Sequence, residues 1–166
     1  MYDICNPDLA EEAKKLGITI IPALRVIKPI RVKPFTMAAS TDRSLLKSVD
    51  MLYDLELLDK RRDHLHHRNS GLDSTLAKLC KQHGVLIGIN LRNLRTLNPV
   101  IIGRVMQNIQ LARQHKAKMA VFTDADTALE LANPSDIQSL LLTLGMATQQ
   151  AKETMHNLEA KYKAKH

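Results

Sequence analysis

The chain has 166 residues, 45% hydrophobic and 25% charged, which is enough for one soluble globular domain with a substantial core and too few for a second. Its 24 Lys and Arg against 17 Asp and Glu leave a formal charge of +7, pointing to an anionic partner. Three Tyr, two Phe and no Trp argue against a module that reads single-stranded RNA by stacking bases on exposed rings.

Asn6-Pro7 is a helix start, and Leu9, Ala10, Ala13 and Leu16 follow at helical spacing before Gly17,. Residues 18–21 read as a buried strand that can continue to Ile27, with Pro22 forcing a bulge or an end,. Residues 35–39 and 50–55 read as two short strands bracketing a helical turn at 42–49, and residues 57–69 as a polar surface loop carrying Arg61, Arg62, His64, His66 and His67,. Ser70 is positioned to cap a helix with Leu72, Leu76, Leu79 and Cys80 on its buried face and Gly84 at its end,. Residues 85–91 form a near-continuous apolar run, the mark of a strand covered on both faces,.

Asn98-Pro99 opens the next helix, with Ile102, Val105, Met106, Ile109 and Ala112 as its buried stripe and Arg104, Arg113 and Lys116 outside it,. Residues 119–123 read as another buried strand, and Pro134-Ser135 starts a long helical stretch broken near Gly145,. Strands and helices alternate cleanly in the second half, which predicts an α/β fold with a parallel sheet. A complete eight-stranded barrel of about 250 residues is out of reach.

The charge is concentrated. Residues 60–118 hold twelve Lys and Arg against Asp63 and Asp73, and no carboxylate occurs between Asp73 and Asp124. A phosphate backbone rewards such depletion through counterion release.

Chemistry-bearing motifs are sparse. In a parallel α/β fold the loops after the strands share one rim, which brings residues 90–95 beside Asp124 and Asp126. The two aspartates suit turn caps better than a base or metal site. His64, His66 and His67 have no companion group at ligand spacing,. The phosphate-loop, dinucleotide, serine-hydrolase and zincin signatures do not occur,. No apolar run approaches the roughly 20 residues of a membrane span, residues 1–8 lack the order of a signal peptide, and Cys5 and Cys80 lack disulfide spacing. A reducing cytoplasm is the expected compartment.

At Arg68-Asn-Ser-Gly-Leu-Asp73, followed by Ser74-Thr-Leu-Ala-Lys-Leu79, the sequence resembles the thirty-kilodalton protein subunit family of archaeal and eukaryotic ribonuclease P, component 3 in archaea, with the archaeal members the closer match. Val85-Leu-Ile-Gly-Ile-Asn-Leu91, Arg104 with Asn108-Ile-Gln-Leu-Ala-Arg113, Thr123-Asp-Ala125, Asn133-Pro-Ser-Asp136 and Leu144-Gly-Met146 keep the family's order and spacing. Asn69, Ser74 and Gly88 depart from it, standing where the family carries Asp, His and Glu. The match weakens before residue 60.

The resemblance implies a TIM-barrel-like fold related to the polymerase and histidinol phosphatase family, shortened at the N-terminus. The barrel is then incomplete, and its open edge needs cover from the N-terminal helix, a second copy or a partner. Residues 1–160 would form the single domain and 161–166 a frayed basic tail. It further implies a ribonuclease P protein subunit that binds the catalytic RNA for removal of the 5′ leader from precursor tRNA. The RNA would supply the Mg2+-dependent catalysis, and the polypeptide would hold no cofactor, no metal and no catalytic residue. Expected partners are the RNA subunit, a ferredoxin-like protein subunit and, indirectly, precursor tRNA, with a homodimer inside a heterotetramer as one assembly.

Arg61, Arg62, Arg68, Arg92, Arg95, Arg104, Arg113, Lys116 and Lys118 are the expected RNA-facing group, Arg104 serving equally well as a brace for the preceding loop. Ser70, Gly71 and Asp73 are expected to fix Arg68, and Asn108 to hold the adjacent strand end. Two alternatives are a metal-dependent phosphoesterase using His64, His66, Asp124 and Asp126, and an assembly protein whose basic face meets an acidic protein.

Overall fold

The computed structural model describes residues 1–25, 27, 35–64 and 68–165. In chain order the elements are β1 (Tyr2–Asp3), α1 (Ala10–Lys15), β2 (Thr19–Ile20), β3 (Ala23–Arg25), β4 (Phe35–Ala38), β5 (Met51–Leu52), α2 (Leu55–Leu58), α3 (Ser74–His83), β6 (Leu86–Asn90), α4 (Leu91–Leu94), α5 (Pro99–His115), β7 (Met119–Phe122), α6 (Pro134–Thr143) and α7 (Thr148–Lys163). Strands β3 to β7 form one sheet in sequential order with every pair parallel. The α/β class read from the alternation is the class observed, and among the described residues the sheet does not close into a barrel.

Alternate residues of each strand serve different layers, the period-2 rule of a strand buried on both faces. Phe35, Met37, Met51, Leu86, Ala120 and Phe122 pack with Ile4, Ile21 and Tyr53 in one cluster. Leu52, Ile87, Ile89, Met119 and Val121 pack with the helices in the other. Gly88 lies among the first set: a Cβ there would meet Met51 Sδ at 3.0 Å, Phe122 Cε1 at 3.1 Å and Tyr53 Cβ at 3.1 Å. The space that would take the family's Glu is filled by apolar side chains in this chain. Cys80 is fully buried, and burial pushes its thiol up to about 12.

Several expectations change. Pro22 brings the end that was one of its two expected outcomes, so the continuation to Ile27 is not observed: it separates β2, which pairs with β1, from β3, which pairs with β4. Strand β1 is absent from the sequence reading, because two residues give no periodicity. It meets the β7 end of the large sheet, where Asp3 Oδ1 accepts from Thr123 N at 2.7 Å and Ile4 O accepts from Asp124 N at 3.0 Å. A strand therefore supplies part of the cover expected from the N-terminal helix. Met106, assigned to the buried stripe of α5, is 43% exposed.

Asp73, not Ser70, caps α3: its Oδ1 accepts from Leu76 N at 2.6 Å. The loop read across 57–69 is in part helical, through α2. Residues 161–163, expected in a tail, belong to α7. There Lys161 donates to Gly84 O at 2.9 Å, and Lys165 pairs with Asp50 at 2.5 Å. The expected break at Gly145 is present, with φ +96° between α6 and α7.

Candidate nucleic-acid interface

The motif loop 68–71 is bound to α5. Gln107 spans it, Oε1 accepting from Arg68 N at 2.9 Å and Nε2 donating to Arg68 O at 2.8 Å and Ser70 Oγ at 3.0 Å. Asn108 Nδ2 donates to Ser70 O at 3.1 Å, so it holds this loop and not the strand end expected of it. Gly71 has φ +76°, and a Cβ would lie 2.1 Å from Leu55 O. Only glycine permits that approach. Gly103 differs, being an ordinary residue of α5: a Cβ there would fall 2.5 Å from Arg68 Cζ, the far end of a flexible side chain that would have to move aside. The Arg68 guanidinium thus lies over a bare stretch of α5, half exposed, with Asp63 3.8 Å away.

The rim after the strands brings together the residues expected there, but its charges are satisfied internally. Arg92 donates to Asp124 O from Nε at 3.0 Å and from Nη2 at 2.6 Å, and pairs with Asp126 at 2.5 Å. Arg25 pairs with Asp124, and Arg95 donates to Glu130 O. Asn90 caps α4 through Arg92 N at 3.0 Å and donates to Asp54 Oδ1 at 3.0 Å. Burial pushes the Asp54 carboxyl upward against the hydrogen bonds from Asn90 and Asn93. Among the described residues no group of three or more His, Cys, Asp and Glu is placed to hold a metal ion. His66 and His67 lie outside the described residues.

Arg104 is the brace. It is 7% exposed and donates to Glu56 O at 3.0 Å, Asp59 O at 2.6 Å, Arg61 O at 2.8 Å and Asp63 Oδ1 at 2.7 Å. It is therefore not on the surface of the interface. Arg61 is exposed but paired with Asp59 at 2.6 Å, and those bonds hold the Asp59 carboxyl down at about 2. Arg62 is exposed without an ion pair among the described residues.

The remaining cations gather at the C-terminal end of α5. Lys116 closes the helix in the left-handed conformation at φ 53°, and exposed cations here also complement the helix dipole. Arg113, Lys116 and Lys118 line a cavity of about 700 Å3 against α7. Lys78, Lys81 and Lys116 line a second of about 580 Å3 against α3. Arg68 and Arg113 line a third of about 340 Å3 beside Gly145. Among the described residues Lys78, Lys81, Arg113, Lys116 and Lys118 form no ion pair. Lys78 and Lys81 are not in the RNA-facing group expected from the sequence. Their i, i+3 spacing on the polar face of α3, inside the acid-free stretch, is the signal that finds them.

The sequence profile of the RNase P subunit p30 family matches residues 26–161. The chain is 30% identical over 119 residues to "Ribonuclease P protein component 3" of Methanosarcina acetivorans, covering 66% of this chain and 49% of that protein. It is 29% identical over 97 residues to the protein of the same name in Methanocaldococcus jannaschii, covering 56% and 41%. The chain thus spans about half or less of the length of these curated relatives. A chain from the cryo-EM structure of archaeal ribonuclease P with mature tRNA superposes with a TM-score of 0.69 at 19% identity, covering 99% of this chain and 80% of that one. A crystal structure of an amidohydrolase superposes with a TM-score of 0.52 at 12% identity, covering 80% and 33%. The fold is shared with both, and the chain belongs to the RNase P subunit p30 family.

Proposed function

We propose that the chain acts as a protein subunit of ribonuclease P that grips folded RNA with the cations around the C-terminal end of α5. The observation that carries this reading is the division among the basic residues. Arg61, Arg92, Arg95 and Arg104 are paired with carboxylates, whereas Arg113, which donates to Gly145 O at 3.4 Å, Lys116 and Lys118, with Lys78 and Lys81 beside them, form no ion pair within the described residues. Phosphates of a folded RNA supply that partner without a stacking platform. Arg68, held on α5, and Arg62 extend the same group.

In this reading the RNA subunit carries the Mg2+-dependent hydrolysis that removes the 5′ leader of precursor tRNA. A ferredoxin-like protein subunit is the protein partner, precursor tRNA is met indirectly, and two copies can share a heterotetramer. The cytoplasm is the compartment. Family membership and the likeness to a chain of archaeal ribonuclease P support it.

The test is binding to an archaeal ribonuclease P RNA transcript over a salt series, together with precursor-tRNA cleavage by the reconstituted enzyme at low magnesium. The variant R113A/K116A/K118A is expected to flatten the plot of log affinity against log salt by about two units, with an unchanged circular dichroism spectrum, and to lower cleavage at low magnesium. An unchanged slope places the RNA elsewhere, and cleavage indifferent to the whole protein removes the subunit role.

A further inference from the structure

Arg68 differs from the other exposed cations in how its charge is presented. Its guanidinium lies on α5 at Gly103, where a Cβ would stand 2.5 Å from Cζ, 2.5 Å from Nη1 and 2.8 Å from Nε. Such nearly equal spacing puts that point over the face of the planar group, not at its edge. The inner face is therefore covered by α5, which leaves the outer face open, and the side chain is 46% exposed. Gln107 fixes the backbone that carries it. The edge is less favourable to an anion: Nη1 is 3.8 Å from Asp63 Oδ2, a carboxylate oxygen with no hydrogen-bond partner among the described residues. A phosphate binds a guanidinium along its N–H edge and would meet that carboxylate, whereas the outer face suits a flat π-system. Beside Arg68 the cavity of about 340 Å3 follows one face of α5 from Gly103 past Met106 and Gln110 to Arg113, about 15 Å along the axis,. Met106 is 43% exposed and Gln110 is exposed, and neither offers charge to a phosphate.

We infer that Arg68 is a stacking platform: one unpaired base of bound RNA lies flat on the outer face of its guanidinium, beside Met106, with a neighbouring phosphate on Arg113. The inference rests on the RNA-subunit reading above and gives Arg68 a base in place of a phosphate. The chain has few rings to offer, since Phe35 and Phe122 are 0% exposed and Tyr53 is 7% exposed, and a guanidinium plane serves the same purpose. Gly103 and Met106 are neighbours on the helix surface, so one ring can touch both the guanidinium and the thioether, whose sulfur favours a ring edge. Every base has a π-face, so the platform takes any base and reads no sequence. A base already unpaired enters at little cost, because no pair has to be broken.

The experiment uses the full chain and two RNA hairpins of equal length and charge, with affinity read by fluorescence anisotropy. One carries a single bulged adenosine, the other an abasic residue at the same place. The adenosine hairpin is expected to bind about tenfold tighter, within the worth of one stacked base. Arg68→Lys, which keeps the charge and removes the plane, should bring the two hairpins to equal affinity. In the unmutated protein the Arg68 Nε–H resonance should move upfield under the ring current of the adenosine and not with the abasic hairpin, a readout that does not depend on a variant. Equal affinity and an unmoved resonance overturn the platform while leaving the RNA-subunit reading in place. A preference for adenosine that survives Arg68→Lys puts the stacking on another residue and overturns the inference. Binding of neither hairpin overturns both readings. If the resonance moves with the ferredoxin-like protein subunit alone and not with RNA, the platform carries a protein side chain and the RNA form of the inference falls.

Discussion

Gln107 holds both backbone polar groups of Arg68, accepting from its N–H at 2.9 Å and donating to its carbonyl at 2.8 Å. Because Gly103 lies one turn earlier on the same helix, the clamp and the bare surface under the guanidinium are presented together,. G103A separates the two effects of this arrangement. Removing a helix-interior glycine should raise stability by up to about 1 kcal/mol, while the added methyl displaces Arg68 and lowers RNA affinity by about tenfold. Urea unfolding and RNA titration of one purified variant check both signs, and unchanged affinity removes Arg68 from the interface.

The Arg104 brace makes a stability prediction. R104A takes the guanidinium from three backbone carbonyls and from Asp63, which keeps only the N–H of Asn69 and the more distant Arg68, and should cost about 3–5 kcal/mol,. R104K keeps the charge but not the fork and should recover only part of that. R113A, by contrast, should unfold within about 0.5 kcal/mol of the unmodified chain. A common loss for R104A and R113A in urea titration would mean that the brace is not where the structure puts it.

Two glycines with left-handed backbone separate strain from contact. A Cβ at Gly17 meets nothing within 4 Å, so G17A carries only the conformational cost of about 1–2 kcal/mol,. A Cβ at Gly71 strikes Leu55 O, so G71A should cost at least about 2 kcal/mol more, and release the 68–71 loop. Thermal unfolding of both variants gives the order.

Glu56 sets a pH dependence. It is 3% exposed, and burial raises its carboxyl above the ordinary 4.5, opposed by the hydrogen bond from Asn93. Between the ordinary and the raised value the folded protein keeps a proton that the unfolded chain has released. This stabilisation is whole below the ordinary value and is lost as pH rises through the raised one. E56Q, which cannot ionise, should gain on the unmodified chain in unfolding free energy as pH rises from the ordinary 4.5 through the raised value,. A constant difference across that range counts against the assignment.

The elements that were legible in the sequence are those with length and punctuation. Asn98-Pro99 and Gly84 mark helix ends by local chemistry alone, and the apolar runs at β6 and β7 stand out because both faces are buried. Strand β1 was not legible, since two residues give no periodicity and its seat on the β7 end of the sheet depends on Thr123, 120 positions away, while Pro22 marked a break without saying that the two sides of it pair in different sheets. The basic stretch pointed to Lys and Arg of residues 60–118 as the groups for an anionic partner but could not rank its members. Arg92 and Arg113 look alike in sequence, and only the fold brings Asp124 and Asp126 to the first and leaves the second without a carboxylate.

The contact of Asp3 with Thr123 joins residues 120 positions apart. The large sheet can grow by neighbour addition, each strand docking on the one before it in the chain. The β1–β2 pair can form locally through α1, yet it has nowhere to seat until β7 is in place. Joining distant segments is the slow step of such a topology, so the β1–β7 seam should close last and protect its amides last during refolding. Until then β7 offers an open edge to any other chain. The Asp3 carboxylate, accepting from both the backbone and the hydroxyl of Thr123, is the latch that ends this exposure.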